Sequence, residues 1–162
     1  MGLIEDAGIL AIATRMQRLA EMFRKDGFQV YKDHGIDFEP KWFPVIYTLH
    51  HKPLLGVVEI ANEIGYTHPS TISLLKEMEK EKLIRSKKDK EDSRKRMIQL
   101  TEKGQAMIEQ MKPVWKIISK AITELTNTEN DLMQAIIEVE GKLKEKSMAA
   151  RAATIHQHAK KK

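Results

Sequence analysis

Residues 57–100 change hydrophobic period once, and that change limits what the chain can fold into. "VVEIANEIG" (57–65) and "THPSTISLLKEMEKEK" (67–82) place apolar residues three and four apart, the spacing of helices. In the first, Val58, Ile60, Ala61 and Ile64 face inward, and Gly65 stops the segment. The second opens on Thr67, a good N-cap, with Pro69 in the first turn, where its missing N–H costs nothing. Its apolar side is Leu74, Leu75 and Met78, with Thr71 three residues earlier. That register leaves Ser70, Ile72, Ser73, Lys76 and Glu77 largely outward. The period then drops to two. "LIRSKK" and "RKRMIQL", on either side of the turn-rich "DKEDS", predict a β-hairpin. Two short helices joined by a tight Gly-containing turn form a helix-turn-helix, here followed directly by a β-ribbon.

The flanks are helical. Residues 6–32 predict one long amphipathic helix, with Ile9, Ile12, Met16, Leu19, Ala20 and Phe23 on one face. Arg15, Arg18, Arg24 and Lys25 occupy the other. "DHGIDFEP" (33–40) breaks it, with Gly35 as C-cap and Pro40 near the first turn of the next helix. "KWFPVIYTLHH" predicts a mostly buried helix, with Pro44 near its start or at a bend, ended by Lys52-Pro53. After the hairpin, Thr101 caps a helix carrying Met107, Ile108, Met111, Val114, Trp115, Ile118, Ala121, Ile122 and Leu125, which Pro113 should kink. "TNTEND" (126–131) caps a final helix with Leu132, Ala135, Ile136 and Val139 on one face. The tail "AARAATIHQHAKKK" is basic and helix-compatible.

At 162 residues the chain is most simply one domain with a real core. It has no cysteine, which removes disulfides, thiolate metal sites and thiol redox sensing and fits a reducing compartment, the cytoplasm. No apolar run approaches the ~18 residues of a membrane span, and "MGLIEDAGIL" does not read as a signal peptide. The net charge is +5. Its excess sits in the hairpin and its approach, where Lys82, Arg85, Lys87, Lys88, Lys90, Arg94, Lys95 and Arg96 face Asp89, Glu91 and Asp92, and in the three terminal lysines. Such a balance points to a polyanion.

The unit suits duplex DNA. A helix fits the major groove, where base edges are distinguishable, and its N-terminal half reaches them. A cationic ribbon can lie along the adjacent minor groove, whose negative potential attracts guanidinium groups. Its cations also release condensed counterions, so affinity falls steeply with salt.

The residues resemble a known family. "DSRKRMIQLTEKG" fits the D-x-R-x5-L-T-x-x-G signature of MarR-type transcriptional regulators through Asp92, Arg94, Leu100, Thr101 and Gly104. The resemblance implies a mainly α fold with a small β-hairpin wing: a winged helix-turn-helix with long N- and C-terminal dimerisation helices. Residues 1–162 would be a single MarR-type domain, with 54–104 as the winged helix-turn-helix and 1–33 and 105–162 as dimerisation helices. It implies a homodimer on a pseudo-palindromic double-stranded operator, usually a repressor relieved by a small aromatic or anionic effector. The recognition-helix contacts would come from Thr67, His68, Ser70, Ile72, Ser73 and Lys76. The wing contacts would come from Lys87, Lys88, Lys90, Asp92, Arg94 and Arg96, with Arg94 entering the minor groove and Asp92 holding it in place. Thr101 and Gly104 read as structural. His34, Trp42, Phe43 and Tyr47 would contribute to an effector pocket.

One departure matters. Members often carry Arg at the positions of Ser73 and Glu77. An acid facing phosphate would be unfavourable, so Glu77 either points away or accepts from a cytosine amine. A narrower likeness, through "DFEPKWFPV" and "GYTHPSTISLLKEMEKEKLIRSKKDKEDSRKR", is to the regulator half of two-domain proteins that join a MarR-type module to a GNAT acetyltransferase. No Gly-rich acetyl-CoA loop is present, so the chain reads as a stand-alone relative and not an enzyme. Two alternatives remain: a regulatory subunit of an acetyltransferase activity, or a DNA-binding architectural protein without sequence preference. No cofactor is implied. His50-His51 point different ways on a helix, and His156 and His158 lie on the tail, so no metal site is expected.

Overall fold

The computed structural model describes residues 2–92 and 94–160. Lys161 and Lys162, two of the three terminal lysines of the basic tail, lie outside the described residues. The chain divides into two compact units, Met1–Ile118 and Ser119–Lys162.

The first unit begins with a short α1 (Leu3–Asp6), a 3-10 turn (Gly8–Ala11) and the long α2 (Ile12–Asp33). The expectation of one helix over 6–32 is corrected here. Gly8 takes φ +57°, a left-handed conformation that no helix continues through. Arg18 donates to Glu5 Oε1 at 3.1 Å across that break. Along a straight helix thirteen residues would separate the two by about 20 Å, so α1 folds back on α2. Most of the apolar face predicted for this region is open: Ile9 is 78% exposed and Met16 54%.

A second 3-10 turn (Pro40–Trp42) leads into α3 (Phe43–His51), where Pro44 occupies the first turn and replaces an N–H that has no partner there. Next come α4 (Val57–Ile64) and α5 (His68–Lys80), then β2 (Ile84–Lys88), β3 (Arg96–Leu100) and α6 (Glu102–Leu125), which runs through Pro113 without interruption. The hairpin is paired from Ile84↔Leu100 to Lys88↔Arg96. A third strand, β1 (Leu55–Gly56), pairs with β3 through Leu55↔Ile98 and gives the order β1-β3-β2. Two residues are too few to carry a period, so the sequence does not announce β1. The result is a winged helix-turn-helix with the wing at the end of a three-stranded antiparallel sheet.

Helices α2, α4 and α5 stop in the same way, at a residue in the left-handed region: Gly35 (φ 70°), Gly65 (φ 70°) and Lys82 (φ 59°). The next N–H returns to a carbonyl five residues back, Ile36 to Tyr31, Tyr66 to Ala61 and Leu83 to Met78. This is the Schellman arrangement, which satisfies carbonyls that the helix end leaves bare. Leu83 and Met78 are both fully buried, adding the apolar contact that accompanies the motif.

Phe38, Ile46, Leu49, Ile60, Leu75, Met78, Leu83, Ile98, Ile108 and Met111 fill the core between α3, α5, the sheet and α6. Burying a side chain of that size contributes about 1.5–3 kcal/mol. Thr71 is buried among them, and its hydroxyl donates to the Thr67 carbonyl at 3.0 Å. Val58, expected inward, is 60% exposed; Val57 packs against the core in its place. The start of α6 clamps the end of α5. Thr101 Oγ1–H donates to the Lys82 carbonyl (2.6 Å) while its oxygen accepts from Gly104 N–H (3.0 Å). Thr101 N–H donates to Leu83 O, and Lys103 Nζ to Glu81 O (2.8 Å). A Cβ on Gly104 would overlap the Leu83 carbonyl oxygen, so only glycine lets these backbones approach.

In the second unit α6 is followed by α7 (Leu132–Glu145) and α8 (Met148–Ala159). Asp131 caps α7 by accepting from Gln134 N–H at 2.9 Å. Ser147 caps α8, and Lys146 before it is extended. Arg151 donates to the carbonyls of Lys142 (2.8 Å) and Lys146 (3.1 Å), covering the end of α7. Met133, Ile137, Val139 and Leu143 lie exposed along α7.

Candidate nucleic-acid interface

Helix α5 starts with its hydroxyls engaged. Thr67 accepts from Ser70 N–H (3.3 Å) and donates its own proton to Ser70 Oγ (2.9 Å). Ser70 therefore keeps its O–H to offer outward. His68, Ser70, Ser73 and Lys76 are exposed; Ile72 is half-buried. Beyond Ile84, β2 carries only exposed residues, Arg85 to Lys88, so the hairpin projects away from the core.

Two aspartates build the wing tip. Asp89 Oδ1 accepts from the N–H groups of Glu91 and Asp92, both at 2.9 Å, and its own N–H donates to the Lys95 carbonyl at 3.0 Å. Asp92 Oδ1 accepts from Arg94 Nε (3.2 Å) and Arg94 N–H (3.0 Å), and its carbonyl accepts from Lys95 N–H (2.9 Å). Both carboxyls are held below the usual carboxylate range: Asp92 first by the Arg94 side chain, Asp89 first by the Asp92 N–H. Arg94 is oriented yet 90% exposed, an arginine aimed at solvent by a fixed turn.

A trough of about 710 Å³ joins the two elements. His68 and Ile72 of α5 line one side, and Asp89, Arg94, Lys95, Arg96 and Met97 line the other, with Val57, Val58 and Glu59 of α4 as floor. Of the residues expected to touch DNA, His68, Ile72, Arg94 and Arg96 are brought together there. Lys87, Lys88 and Lys90 are exposed on the hairpin outside this set. Arg96 has a partner within the fold, an ion pair with Glu79 of α5. Burial pushes the Glu79 carboxyl up, but hydrogen bonds from Arg96 and Ser86 outweigh it and hold the group low.

Of the four residues expected to form an effector pocket, Phe43 and Tyr47 stand together, and Trp42 and His34 each have other partners. Trp42 is buried, with its indole N–H donating to Glu77 Oε1 at 2.9 Å. Phe43 and Tyr47 stack at 5.2 Å with Trp115 set edge-on against Phe43 at 5.6 Å. His34 Nδ1 lies 2.8 Å from the Val30 carbonyl at the end of α2. A cleft of about 310 Å³ at Tyr47 is lined by Thr48, His51, Lys52 and Glu63. Sequence reasoning missed Asp89 and Glu79 as organisers. Asp89 carries a turn-forming signal, whereas nothing near Glu79 in sequence marks its partner.

Among the described residues no group of His, Asp or Glu is placed to hold a metal ion, and no helix is long and apolar enough to cross a membrane. Residues 34–95 match the MarR family model. No curated protein matches the chain. Among solved structures, reduced AbfR bound to DNA is 18% identical, with 90% of this chain and 98% of that one covered at a TM-score of 0.68. The S. aureus MepR–DNA complex is 18% identical, covering 83% and 97% at 0.66. The PcaV transcriptional regulator from Streptomyces coelicolor, in complex with its natural ligand, is 12% identical, covering 84% and 96% at 0.62.

Proposed function

For a chain that carries a MarR-family winged helix-turn-helix over residues 34–95, we propose a sequence-specific, double-stranded DNA-binding transcriptional regulator. It acts as a homodimer on a pseudo-palindromic operator, as a repressor whose DNA affinity a small aromatic or anionic effector modulates, and no enzymatic activity is part of this reading. Its place is with the DNA, in the cytoplasm. The observation that carries the proposal is Arg94, exposed and oriented by Asp92 at the tip of a cationic hairpin, across one trough from His68 and Ile72 of α5. Phosphate contacts from Lys87, Lys88 and Lys90 would set register, and Thr67, Ser70, Ser73 and Lys76 would face base edges.

Support for a dimer comes from the apolar residues left open along α1, the 3-10 turn and α2, among them Leu3, Ile9, Leu10 and Met22, which a second copy would cover. AbfR and MepR are bound to DNA in their structures, and PcaV is bound to its ligand. Selection of binding sites from genomic DNA with the purified protein tests the proposal. Recovery of a two-fold-related motif with half-sites about one helical turn apart is the expected result. A second reading, DNA binding without sequence preference, is favoured by the absence of a cation at Ser73 and by the inward turn of Glu77. A selection that enriches no motif, with tight binding to every duplex, would support it instead.

A further inference from the structure

Glu77 lies one turn beyond Ser73 on α5, where the resemblance leads one to expect an arginine. Its carboxylate turns back into the protein. Oε1 accepts from the Trp42 indole N–H at 2.9 Å and lies 2.8 Å from Lys41 Nζ. Both partners belong to the 3-10 turn ahead of α3. Trp42 is only 6% exposed, and its ring meets Phe38 edge-on at 5.6 Å. Phe38 meets Tyr31 of α2 at 5.0 Å, and the Tyr31 hydroxyl accepts from the Trp115 indole of α6 at 3.0 Å.

A buried indole N–H requires an acceptor, and α5 supplies it. The indole is wedged among other rings and has little freedom, so its bond to Glu77 fixes the helix rather than the reverse. Charge-assisted bonds of this kind are the stronger and more directional ones. Lys41 also neutralises the acid, so it presents no bare negative charge toward phosphate.

We propose that Glu77 is a positioning residue for base recognition: it locks the C-terminal half of α5 onto Trp42 and Lys41, so that the helix presents Ser70, Ser73 and Lys76 at one fixed angle. The inference rests on the DNA-binding reading above. It answers which of two roles the acid has, since a carboxylate already holding an indole and an ammonium is not offered to a cytosine amine.

The test is a cycle of Trp42→Phe, Glu77→Gln and the double variant in the full chain. Affinity is measured for a selected operator and for a scrambled duplex, and tryptophan emission is measured without DNA. Glu77→Gln keeps an acceptor for the indole but loses the charge that strengthens both contacts; it should weaken operator binding about tenfold and leave the scrambled duplex unchanged. The double variant should bind no worse than the weaker single variant, and Glu77→Gln should shift emission only when Trp42 is present. If Trp42→Phe does not fold, Lys41→Gln takes its place in the binding cycle, with the same non-additivity expected. Unchanged emission in Glu77→Gln, additive losses, or an equal loss on both duplexes would overturn the proposal. If the wild-type protein itself prefers no duplex, the DNA reading fails instead, and the emission measurement still decides whether the contact exists.

Discussion

The guanidinium of Arg96, on the returning strand of the wing, is ion-paired with the carboxylate of Glu79 in the last turn of α5. Helix α5 and the wing are therefore joined by side chains as well as by the strand that connects them. Both groups are partly exposed, so solvent screens the pair and its contribution is small. Arg96→Ala and Glu79→Ala should each lower stability by about 0.5–1 kcal/mol, and the double variant should be no less stable than the weaker single one. Urea denaturation of the four proteins checks this; additive losses would mean the pair does not act as a unit.

Gly104 and Thr101 form the joint between α5 and α6. Gly104→Ala places a methyl group against the Leu83 carbonyl, backbone that cannot swing aside. A loss above about 2 kcal/mol is expected, in the upper range for overpacking. Thr101→Val keeps the shape and removes the bonds to Lys82 O and from Gly104 N–H, with an expected loss of about 1–2 kcal/mol. Thermal unfolding of both variants reads the two effects, and a neutral Gly104→Ala would contradict the packing described.

Lys82 ends α5 at φ 59°, a conformation that disfavours a side chain. Lys82→Gly should raise stability by about 1 kcal/mol, because the left-handed penalty for an L-residue exceeds the extra freedom glycine has when unfolded. An increase in the urea midpoint at unchanged slope is the expected readout; a decrease would mean that the lysine stem itself packs usefully.

The fold was legible where local chemistry and period agree, and illegible where a partner is distant. Thr67, Gly65, Thr101 and the alternation from Arg96 to Leu100 announce their roles within a few residues. Gly8 does not, because Ile9 and Ile12 continue the helical spacing past the break. Asp92 and Arg94 are two residues apart, and the resemblance implies the pairing that the structure contains. Glu77 and Trp42 are 35 residues apart, and spacing left the direction of Glu77 open. The effector-pocket residues rest on the resemblance; Trp42, in the 3-10 turn, meets Phe38, while Phe43, the first residue of α3, meets Trp115.

Asp92 gives the wing a defined response to acid. Its folded pKa is depressed, chiefly by the Arg94 side chain, so its contribution is complete above the ordinary carboxylate range and is lost as pH falls through the lowered folded value. A carboxyl-detected NMR titration should place Asp92 below a free aspartate in the wild type and move it back toward a free aspartate in Arg94→Ala. A titration unaltered by the substitution would show that the backbone N–H groups alone hold the turn.

On the proposed function, an oriented Arg94 carries the wing's contact with DNA. Operator affinity of wild type and Arg94→Ala, each measured across a range of salt, tests it most directly. The account predicts a loss of about tenfold or more at moderate salt and a slope of log affinity against log salt shallower by about one. Equal affinities and equal slopes for the two proteins would contradict it.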